Sequence, residues 1–380
     1  MIQTPCYVYD IDQLKTTVSR IQKAIPGIPL TFSIKANSFV ISSIIHEIAS
    51  VEVCSPGELS ICKSRKIDPQ KIIYSGVMKE ALDIREAISY GAGILTAESK
   101  NQYQLISSIA EELNIKTNVL LRISSDNQFG MDPEDIYTII RDREAHANIV
   151  LKGFHYYSGT QKKKIEQIET DIDRITAVIE RCERDYGYRP LLVEYGPGLA
   201  VEYFKNNSDE IDLELLNKTA PVIKEFAQKV PLGIEMGRFI AAACGTYYTS
   251  VKDLKTNFGI NYAILDGGIH QIKYYGQIMA MHSPIIIQQP CRNGEKLKYC
   301  LCGSLCTVAD VLIKEAELQE LQIGDILEFQ KCGAYSLTEA SSLFLSRDMA
   351  YVYLKEEGKV NLVRDSRHSS EINTIDCHLE

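Results

Sequence analysis

Short apolar runs alternate with amphipathic stretches along the first 240 residues. Eight of these runs, rich in apolar and β-branched residues, predict strands over Pro29–Ala36, Val51–Pro56, Lys71–Gly76, Gly93–Ser99, Thr117–Ser124, Val150–Tyr157, Leu191–Gly196 and Pro231–Arg238. Between them, apolar residues that recur every three or four positions predict helices over Ser42–Ala49, Ala81–Tyr90, Gln102–Leu113 and Ile165–Tyr186. Eight β/α units within about 210 residues predict a (β/α)8 TIM barrel.

Beyond residue 240 the pattern changes to β-like runs with few helical stretches between them. These runs predict strands over Thr246–Val251, Tyr262–Leu265, Pro284–Gln288, Lys298–Leu301, Ile326–Phe329 and Tyr351–Leu354, with Cys6–Tyr9 able to join them. We therefore predict a barrel over residues 10–240, a C-terminal antiparallel β domain made of 1–9 and 241–364, and a polar tail over 365–380. A doubly wound open sheet is the alternative, but no GxGxxG motif follows the first strand.

Composition narrows the classes of partner. The formal net charge of −9 disfavours nucleic-acid binding, and no apolar run is long enough to span a membrane. The N-terminal residues lack the features of a signal peptide, and the 11 scattered cysteines are typical of reduced thiols, so we expect a cytoplasmic protein. Cys300, Cys302 and Cys306 lie close together, but without a CxxC pair or a neighbouring His they predict no metal site.

Candidate catalytic residues follow from the barrel, because active sites of such barrels lie at the C-terminal ends of the strands. Lys35 ends the first predicted strand, where partial loss of water favours a neutral amine that reacts with carbonyls. A lysine at the end of a strand can also be an ordinary surface residue that extends into solvent. Position alone leaves these two interpretations equal.

Three further segments end predicted strands. Residues 157–160 (YSGT) and 195–198 (YGPG) offer hydroxyls and glycines, which allow close approach to a phosphate, although Gly-Pro-Gly is also an ordinary turn. Residues 235–238 (EMGR) place a carboxylate at the eighth strand, where it can keep a pyridine nitrogen protonated and make the ring an electron sink. The alternative is an ion pair between Glu235 and Arg238.

The chain carries an ordered set of short motifs: SIKAN (33–37), VEVCSPGEL (51–59), IIYSG (72–76), LRI (121–123), QFGM (128–131), YSGTQ (157–161), YGPG, EMGR, LDGG (265–268), CGSLCTVAD (302–310) and CGAYS (332–336). In this order they resemble the fold-type III decarboxylases that depend on pyridoxal 5'-phosphate (PLP), which include diaminopimelate and eukaryotic ornithine decarboxylases. The resemblance covers about residues 5–350, and it implies an alanine racemase-like barrel with a β domain.

The resemblance implies a role for each matching residue. Lys35 would bind PLP as a Schiff base, and Glu235 would pair with the pyridine nitrogen. Cys306 would reach the substrate from the second subunit of a homodimer with shared active sites and would assist protonation after CO2 has left. The other implied cofactor contacts are Arg122, Tyr157, Thr160, Gly196, Gly198, Gly237, Arg238 and Tyr335. Asp266 and Thr307 would join Cys306 at the substrate.

Several positions depart from the family pattern. Tyr157 stands where a ring-stacking His is usual, and Thr307 replaces the Glu or Asp that binds a distal ammonium group. Tyr274 replaces an Arg that would bind a distal carboxylate. Only six residues, 123–128, separate Arg122 from Phe129, which leaves out a loop that faces the substrate in diaminopimelate decarboxylases. Loss of two charge-assisted contacts disfavours a free diamino acid.

The variant motifs are closer to two related activities, the glutamyl-carrier-protein decarboxylase of butirosin synthesis and the decarboxylases of siderophore pathways. We therefore expect a tethered or conjugated amino acid as substrate, with a free-substrate diaminopimelate, lysine or ornithine decarboxylase as the alternative. A racemase or epimerase is a third interpretation, which Glu235 disfavours, and a PLP carrier protein is a fourth. Residues 162–164 (KKK) either form a positive patch for an acidic carrier protein or a substrate carboxylate, or are ordinary surface lysines.

Overall fold

The computed structural model describes residues 2–375, which form two compact units. One unit contains Lys15–Val201 and Ile211–Ile240, and the other contains the segment up to Leu14, Glu202–Glu210 and the segment from Ala241 onward. The helices are α1 Ile11–Ala24, α2 Ile41–Ile44, α3 Pro56–Ser64, α4 Ala81–Tyr90, α5 Lys100–Glu112, α6 Pro133–Arg141, α7 Ile165–Tyr186, α8 Ser208–Lys229 and α9 Arg238–Ala241.

Eight parallel strands close a barrel in the first unit: β2 Leu30–Ser33, β3 Ser50–Val53, β4 Ile72–Tyr74, β5 Ile94–Ala97, β6 Thr117–Arg122, β7 Ile149–Tyr157, β8 Leu192–Gly196 and β9 Leu232–Met236. The predicted TIM barrel is therefore confirmed. Strands such as β2 and β9 are buried along their whole length, as expected for a parallel sheet covered on both faces. Lys35 lies two residues past β2, in a short 3-10 turn over Ile34–Ala36, which places it at the end of the barrel where the strands finish.

Local signals explain why some helices were predictable. The predicted bounds of α4 and α7 match the structure, and both helices end at a glycine in the left-handed conformation, Gly91 and Gly187. The side chain of Ser99 caps the start of α5 by accepting a hydrogen bond from the backbone of Gln102. The predicted helix Ser42–Ala49 is instead the single turn α2, and α1, α3, α6 and α8 were not predicted.

The second unit contains the remaining strands: β1 Cys6–Asp10, β10 Gly245–Asn257, β11 Ile260–Leu265, β12 Ile286–Gln289, β13 Lys296–Cys302, β14 Val311–Gln319, β15 Ile326–Phe329, β16 Tyr351–Glu356 and β17 Lys359–Arg364. Seven follow the order β14-β13-β11-β10-β1-β16-β17, β15 pairs with β10, and β12 pairs with β15. The predicted β domain is confirmed, but its sheet is mixed, because β1–β16 and β11–β13 are parallel.

The predicted polar tail 365–380 extends beyond the described residues from position 376 onward. Its described part is attached to the second unit, since Ser369 is buried and its hydroxyl donates to the carbonyl of Arg347 at 2.7 Å. None of the helices within residues 2–375 combines the length and the apolar character that a bilayer crossing requires.

Candidate active site

Lys35 has an acidic partner on the neighbouring strand. Its Nζ lies 3.1 Å from Oε2 of Glu52 and 3.6 Å from Sγ of Cys54. Glu52 is buried, and it faces Lys35 because β3 pairs with β2 in a register that places it opposite Ser33. The side chain of Lys35 is 38% exposed, so a small carbonyl compound can reach the amine. The sequence did not identify Glu52, although it lies near the end of a strand as Lys35 does.

Glu235 is a buried carboxylate with two donors. The hydroxyl of Ser33 donates to Oε1 at 3.0 Å, and Nε2 of His155 donates to Oε2 at 3.2 Å. Burial alone would raise the pKa of Glu235, but the hydrogen bond and charge of His155 and the nearby charge of Lys35 outweigh it and hold the pKa below its usual range. Glu235 is therefore an anion that can hold a protonated ring nitrogen.

Tyr157 packs tightly against Gly196. A Cβ atom at position 196 would lie 2.7 Å from Cδ2 of the Tyr157 ring, so only glycine leaves room for it. Burial raises the pKa of Tyr157, and the charge of Lys35 and a hydrogen bond with Thr160 only partly oppose the shift. Tyr157 is thus a neutral ring at the barrel end, suited to stacking on a flat cofactor.

The YSGT segment and the YGPG segment form two loops that contact each other directly. Gly198 has φ +61°, and a Cβ atom there would lie 1.9 Å from the carbonyl oxygen of Gly159. Nε of Arg238 donates to the hydroxyl of Thr160 at 3.3 Å. Gly237 packs against the turn that carries Lys35, because a Cβ atom at 237 would lie 3.1 Å from Cβ of Ala36. These contacts bring the predicted phosphate-binding residues of the barrel together.

Arg122 is buried and forms an ion pair with Glu98, with 3.0 Å between Nη1 and Oε1. Its guanidinium lies 4.7 Å from the ring centroid of Phe129. Lys79 is buried close to this ion pair, and its ammonium group donates to the carbonyl of Gly76. Burial lowers the pKa of Lys79 to about 8, and the nearby charge of Glu98 opposes the shift. Neither Glu98 nor Lys79 was identified from the sequence.

In the second unit, Asp266 already accepts several hydrogen bonds. Its carboxylate binds the hydroxyls of Thr4 at 2.7 Å and Thr249 at 2.8 Å, and the backbone of Ser250 at 2.8 Å. Lys252 adds an ion pair at 3.3 Å. This network holds the turn after β11, and a role of Asp266 in substrate binding stays a prediction.

The loop between β13 and β14 carries Cys306 and Thr307. Asp310 shapes this loop by accepting from the backbone of Leu305 at 2.7 Å and of Ile269 at 2.8 Å. Cys306 is exposed at the tip, and Thr307 is half-buried. The predicted phosphate contact Tyr335 lies elsewhere in the unit, in a turn where its own φ is +64°.

Tyr274 is buried in the second unit. Its hydroxyl donates to the carbonyl oxygen of Gln330 at 2.6 Å and lies 2.9 Å from Sγ of Cys332. Burial raises the pKa of Tyr274 well above its usual range, so the residue is neutral. Tyr274 therefore carries no charge, and its correspondence to the family's arginine stays a prediction.

Two groups of side chains bear on metal binding. Glu52, His155 and Glu235 have ligand atoms within 4.8 Å of one another, and Glu52 also forms the ion pair with Lys35. Sγ of Cys300 and Sγ of Cys302 are 3.8 Å apart. The absence of a metal site stays a prediction.

The predicted lysine patch at residues 162–164 is wrong in one respect. Lys162 is buried and forms an ion pair with Asp171, so it cannot meet a carrier protein or a substrate carboxylate at the surface. Its charge is neutralised inside the barrel unit, which also answers why a lysine is tolerated there. Only Lys163 and Lys164 are exposed.

Comparison with known proteins decides the family. The family model described as "Pyridoxal-dependent decarboxylase, pyridoxal binding domain" matches residues 11–242. The chain belongs to the pyridoxal-dependent decarboxylases. It is therefore a carboxy-lyase, and its cofactor is pyridoxal phosphate. The interpretations as a racemase and as a PLP carrier protein are accordingly set aside.

Three relatives of this decarboxylase match almost its whole length. A diaminopimelate decarboxylase of Aquifex aeolicus is 24% identical and covers 95% of this chain and 89% of its own. The L-glutamyl-[BtrI acyl-carrier protein] decarboxylase of Niallia circulans is 26% identical, with 97% and 93% covered. The 2-[(L-alanin-3-ylcarbamoyl)methyl]-2-hydroxybutanedioate decarboxylase of Staphylococcus aureus is 27% identical, with 92% and 94% covered.

The fold of the decarboxylase also matches solved structures. A diaminopimelate decarboxylase from Helicobacter pylori complexed with L-lysine superposes with a TM-score of 0.86 at 24% identity, over 98% of this chain and 96% of that one. At this identity the match shows the fold alone.

The barrel end fits pyridoxal phosphate. Lys35 supplies an amine, Glu235 an anion for the ring nitrogen, and Tyr157 a flat neutral surface. Nδ1 of His155 is buried without a hydrogen-bond partner, as expected where a bound group completes the site. Bound pyridoxal phosphate supplies an electron sink for the electrons that departing CO2 leaves behind.

Proposed function

We propose that this decarboxylase acts on a tethered or conjugated amino acid, such as a carrier-protein thioester or an amide, in a biosynthetic pathway. The observation that carries the proposal is the uncharged pair Thr307 and Tyr274. The hydroxyl of Tyr274 donates its hydrogen bond to the carbonyl of Gln330. Thr307 is neutral and cannot attract an ammonium group as a carboxylate would. Diaminopimelate would lose two charge-assisted contacts and lysine or ornithine one, each worth about 1.5–3 kcal/mol.

Two relatives support a substrate with an extended far end. By their names, the Niallia circulans enzyme acts on L-glutamyl acyl-carrier protein and the Staphylococcus aureus enzyme on an amide-linked conjugate. The Aquifex aeolicus relative is a diaminopimelate decarboxylase and supports the alternative, a free diamino acid. Identities of 24–27% do not separate these substrates, so the uncharged positions favour the first.

We assign the residue roles as part of the same proposal. Lys35 would hold the cofactor through its aldehyde, and Glu235 would keep the ring nitrogen protonated. The loops around Thr160 and Gly198, with Gly237 and Arg238, would hold the phosphate. Arg122 would support this end of the barrel through Glu98, and Tyr157 would offer a flat surface to the ring.

Purified enzyme tests the substrate class. CO2 release should be measured with meso-diaminopimelate, L-lysine and L-ornithine, and with an amide-linked diamino acid and an aminoacyl carrier protein. We expect kcat/KM to be on the order of 100-fold higher for one conjugated compound than for any free amino acid. A kcat/KM of about 10⁴ M⁻¹s⁻¹ or more with a free amino acid would establish the alternative instead.

We further propose a homodimer in which Cys306 serves the active site of the second subunit. Cys306 is exposed at the end of its loop, where a partner can bury it. Mixing Lys35→Ala with Cys306→Ala subunits leaves one intact site in each hybrid dimer, so activity should return to about a quarter of wild type. Hybrid dimers that form but stay inactive would disprove shared sites.

We also propose a cytoplasmic location. The ten cysteines within the described residues are free thiols, which suits a reducing compartment. Fractionation of the source cells with an antibody against the protein would test the location.

A further inference from the structure

Asp171 is a buried carboxylate on α7 that gathers three donors. The hydroxyl of Ser158 donates to Oδ1 at 2.7 Å, and the hydroxyl of Tyr195 donates to Oδ2 at 2.8 Å. The ammonium group of Lys162 forms a close ion pair with Oδ2. The side chains of Lys162 and Asp171 are 8% and 6% exposed, so water cannot replace these contacts.

These three donors flank the two loops at the barrel end. Ser158 lies within the YSGT segment, and Tyr195 directly precedes Gly196. Lys162 closes the first loop onto the second, because its backbone N–H donates to the carbonyl of Gly198 at 2.9 Å, and its own carbonyl accepts from Ala200 at 3.0 Å. The carboxylate of Asp171 therefore binds residues of both loops.

The geometry leaves the loops little freedom. A Cβ atom at Gly198 would lie 1.9 Å from the carbonyl oxygen of Gly159, so a small shift of either loop produces a clash or opens a gap. Burial lowers the pKa of Lys162, and the hydrogen bond and the charge of Asp171 oppose this shift. Loss of the Asp171 charge would leave a buried cation directly behind the loops.

We propose that Asp171, paired with Lys162, is the positioning residue of the phosphate site: it touches no cofactor atom but fixes the loops that bind the phosphate monoester. The inference rests on the proposed phosphate placement at Thr160 and Gly198. Asp171 and Lys162 themselves lie outside the motifs through which the chain resembles its family. It also gives Lys162 a structural partner in place of the carrier protein.

A pair of ligands separates positioning from general folding. Pyridoxal phosphate and pyridoxal share the ring and the aldehyde, but only the first has a phosphate. The dissociation constants of both should be measured by absorbance titration of the cofactor-free protein. Asp171→Asn should weaken pyridoxal phosphate binding about 10-fold or more. Pyridoxal binding should change less than about 2-fold, since the ring and Lys35 contacts are untouched.

A double-variant cycle tests the ion pair itself. Lys162→Met keeps the length of the side chain and removes its charge, so the double variant Lys162→Met with Asp171→Asn has no orphan cation. Its affinity for pyridoxal phosphate should exceed that of Asp171→Asn alone. Ser158→Ala and Tyr195→Phe each remove one hydrogen bond and should give smaller losses, and they serve if Asp171→Asn does not fold. Asp173→Asn and Lys163→Met, at exposed positions of the same segment, are the matched controls.

Thr160→Ala separates the phosphate placement from the role of Asp171. If Thr160→Ala lowers the affinity for pyridoxal phosphate selectively and the Asp171 and Ser158 variants do not, the phosphate placement stands and the role of Asp171 is overturned. If Thr160→Ala weakens the binding of pyridoxal phosphate and of pyridoxal equally, the phosphate placement and the role of Asp171 are both disproved. Equal weakening of the two ligands by Asp171→Asn would reduce Asp171 to a residue of general stability.

Discussion

The barrel unit and the β unit contain different kinds of predicted site residue. In the barrel, Lys35, Glu235 and Arg122 are paired with acids or donors from other segments of the barrel. In the β unit, Asp266 and Tyr274 are occupied by structural hydrogen bonds, and Cys306 is exposed on a loop. The residues predicted to bind the cofactor therefore lie at closely packed strand ends. Of the residues predicted to contact the substrate, Cys306 and Thr307 lie on a loop, where substitutions disturb packing less.

The largest expected effect is the loss of the amine that the barrel provides. Lys35→Ala should remove the bond to pyridoxal phosphate that borohydride can reduce, and activity should fall by on the order of 1000-fold or more. Peptide mapping after borohydride treatment of wild type should place the cofactor on Lys35. Lys79→Met is the control, because Lys79 is a buried amine whose pKa is lowered to about 8. Cofactor trapped on Lys79 in the wild-type enzyme would contradict the assignment.

Two buried glutamates of the barrel offer a matched comparison. Glu235 is held ionised, whereas burial raises the pKa of Glu194 to about 8, so Glu194 is neutral at pH 7. Glu235→Gln removes a charge and should lower kcat on the order of 100-fold at full cofactor occupancy. Glu194→Gln replaces a neutral group and should leave kcat within about 2-fold. Similar losses of kcat in both variants would show that the charge of Glu235 does not cause the effect on catalysis.

A substitution in the β unit should instead raise activity toward a free diamino acid. Thr307→Asp introduces the anion that the substrate loop lacks, and a charge-assisted contact of about 1.5 kcal/mol corresponds to about a 10-fold rise in kcat/KM for a free diamino acid. The rise should appear with L-lysine or L-ornithine, and Thr307→Asn controls for size without charge. An equal gain in the Asn variant would refute the electrostatic explanation.

The smallest effect concerns stability. The folded protein raises the pKa of Glu194 above its value in the unfolded chain, so the unfolded chain releases the proton first and rising pH favours unfolding. Between the ordinary value near 4.5 and about 8, wild type should therefore lose stability relative to Glu194→Gln. The Tm of wild type minus the Tm of Glu194→Gln should therefore fall from pH 5 to pH 8. A difference that stays constant over this range would show that Glu194 does not titrate as expected.

Much of the barrel fold could be predicted because the signals are local. Eight apolar runs with helical stretches between them suffice for the fold. The positions of Lys35 and Glu235 at strand ends left other interpretations open, and their expected roles followed from the resemblance to a family. Glu52 and Glu98 were missed because their roles depend on which residues face each other across strands. Asp171 lies on a helix and meets residues on both sides of it in sequence, which no periodicity reveals.

The β unit was harder to predict for a related reason. β14 contains Lys, Glu and Ala residues that favour a helix, and only its pairing with β13 makes it a strand. The parallel pairing of β1 with β16 joins residues far apart in the chain, so the mixed character of the sheet could not follow from local patterns. Lys162 shows the same limit at a single residue, since its buried partner Asp171 lies nine positions later.

The position of β1 has a consequence for how the chain acquires its structure. β1 is paired with β10 and β16, so its neighbours are synthesised only after all elements of the barrel have emerged from the ribosome. The barrel, whose strands follow one another from Leu30 to Met236, can assemble during translation. One edge of the first strand can pair once Gly245–Asn257 has been made, but the other edge stays unpaired until Tyr351–Glu356 arrives. This contact of very long sequence separation is expected to slow the last step of folding.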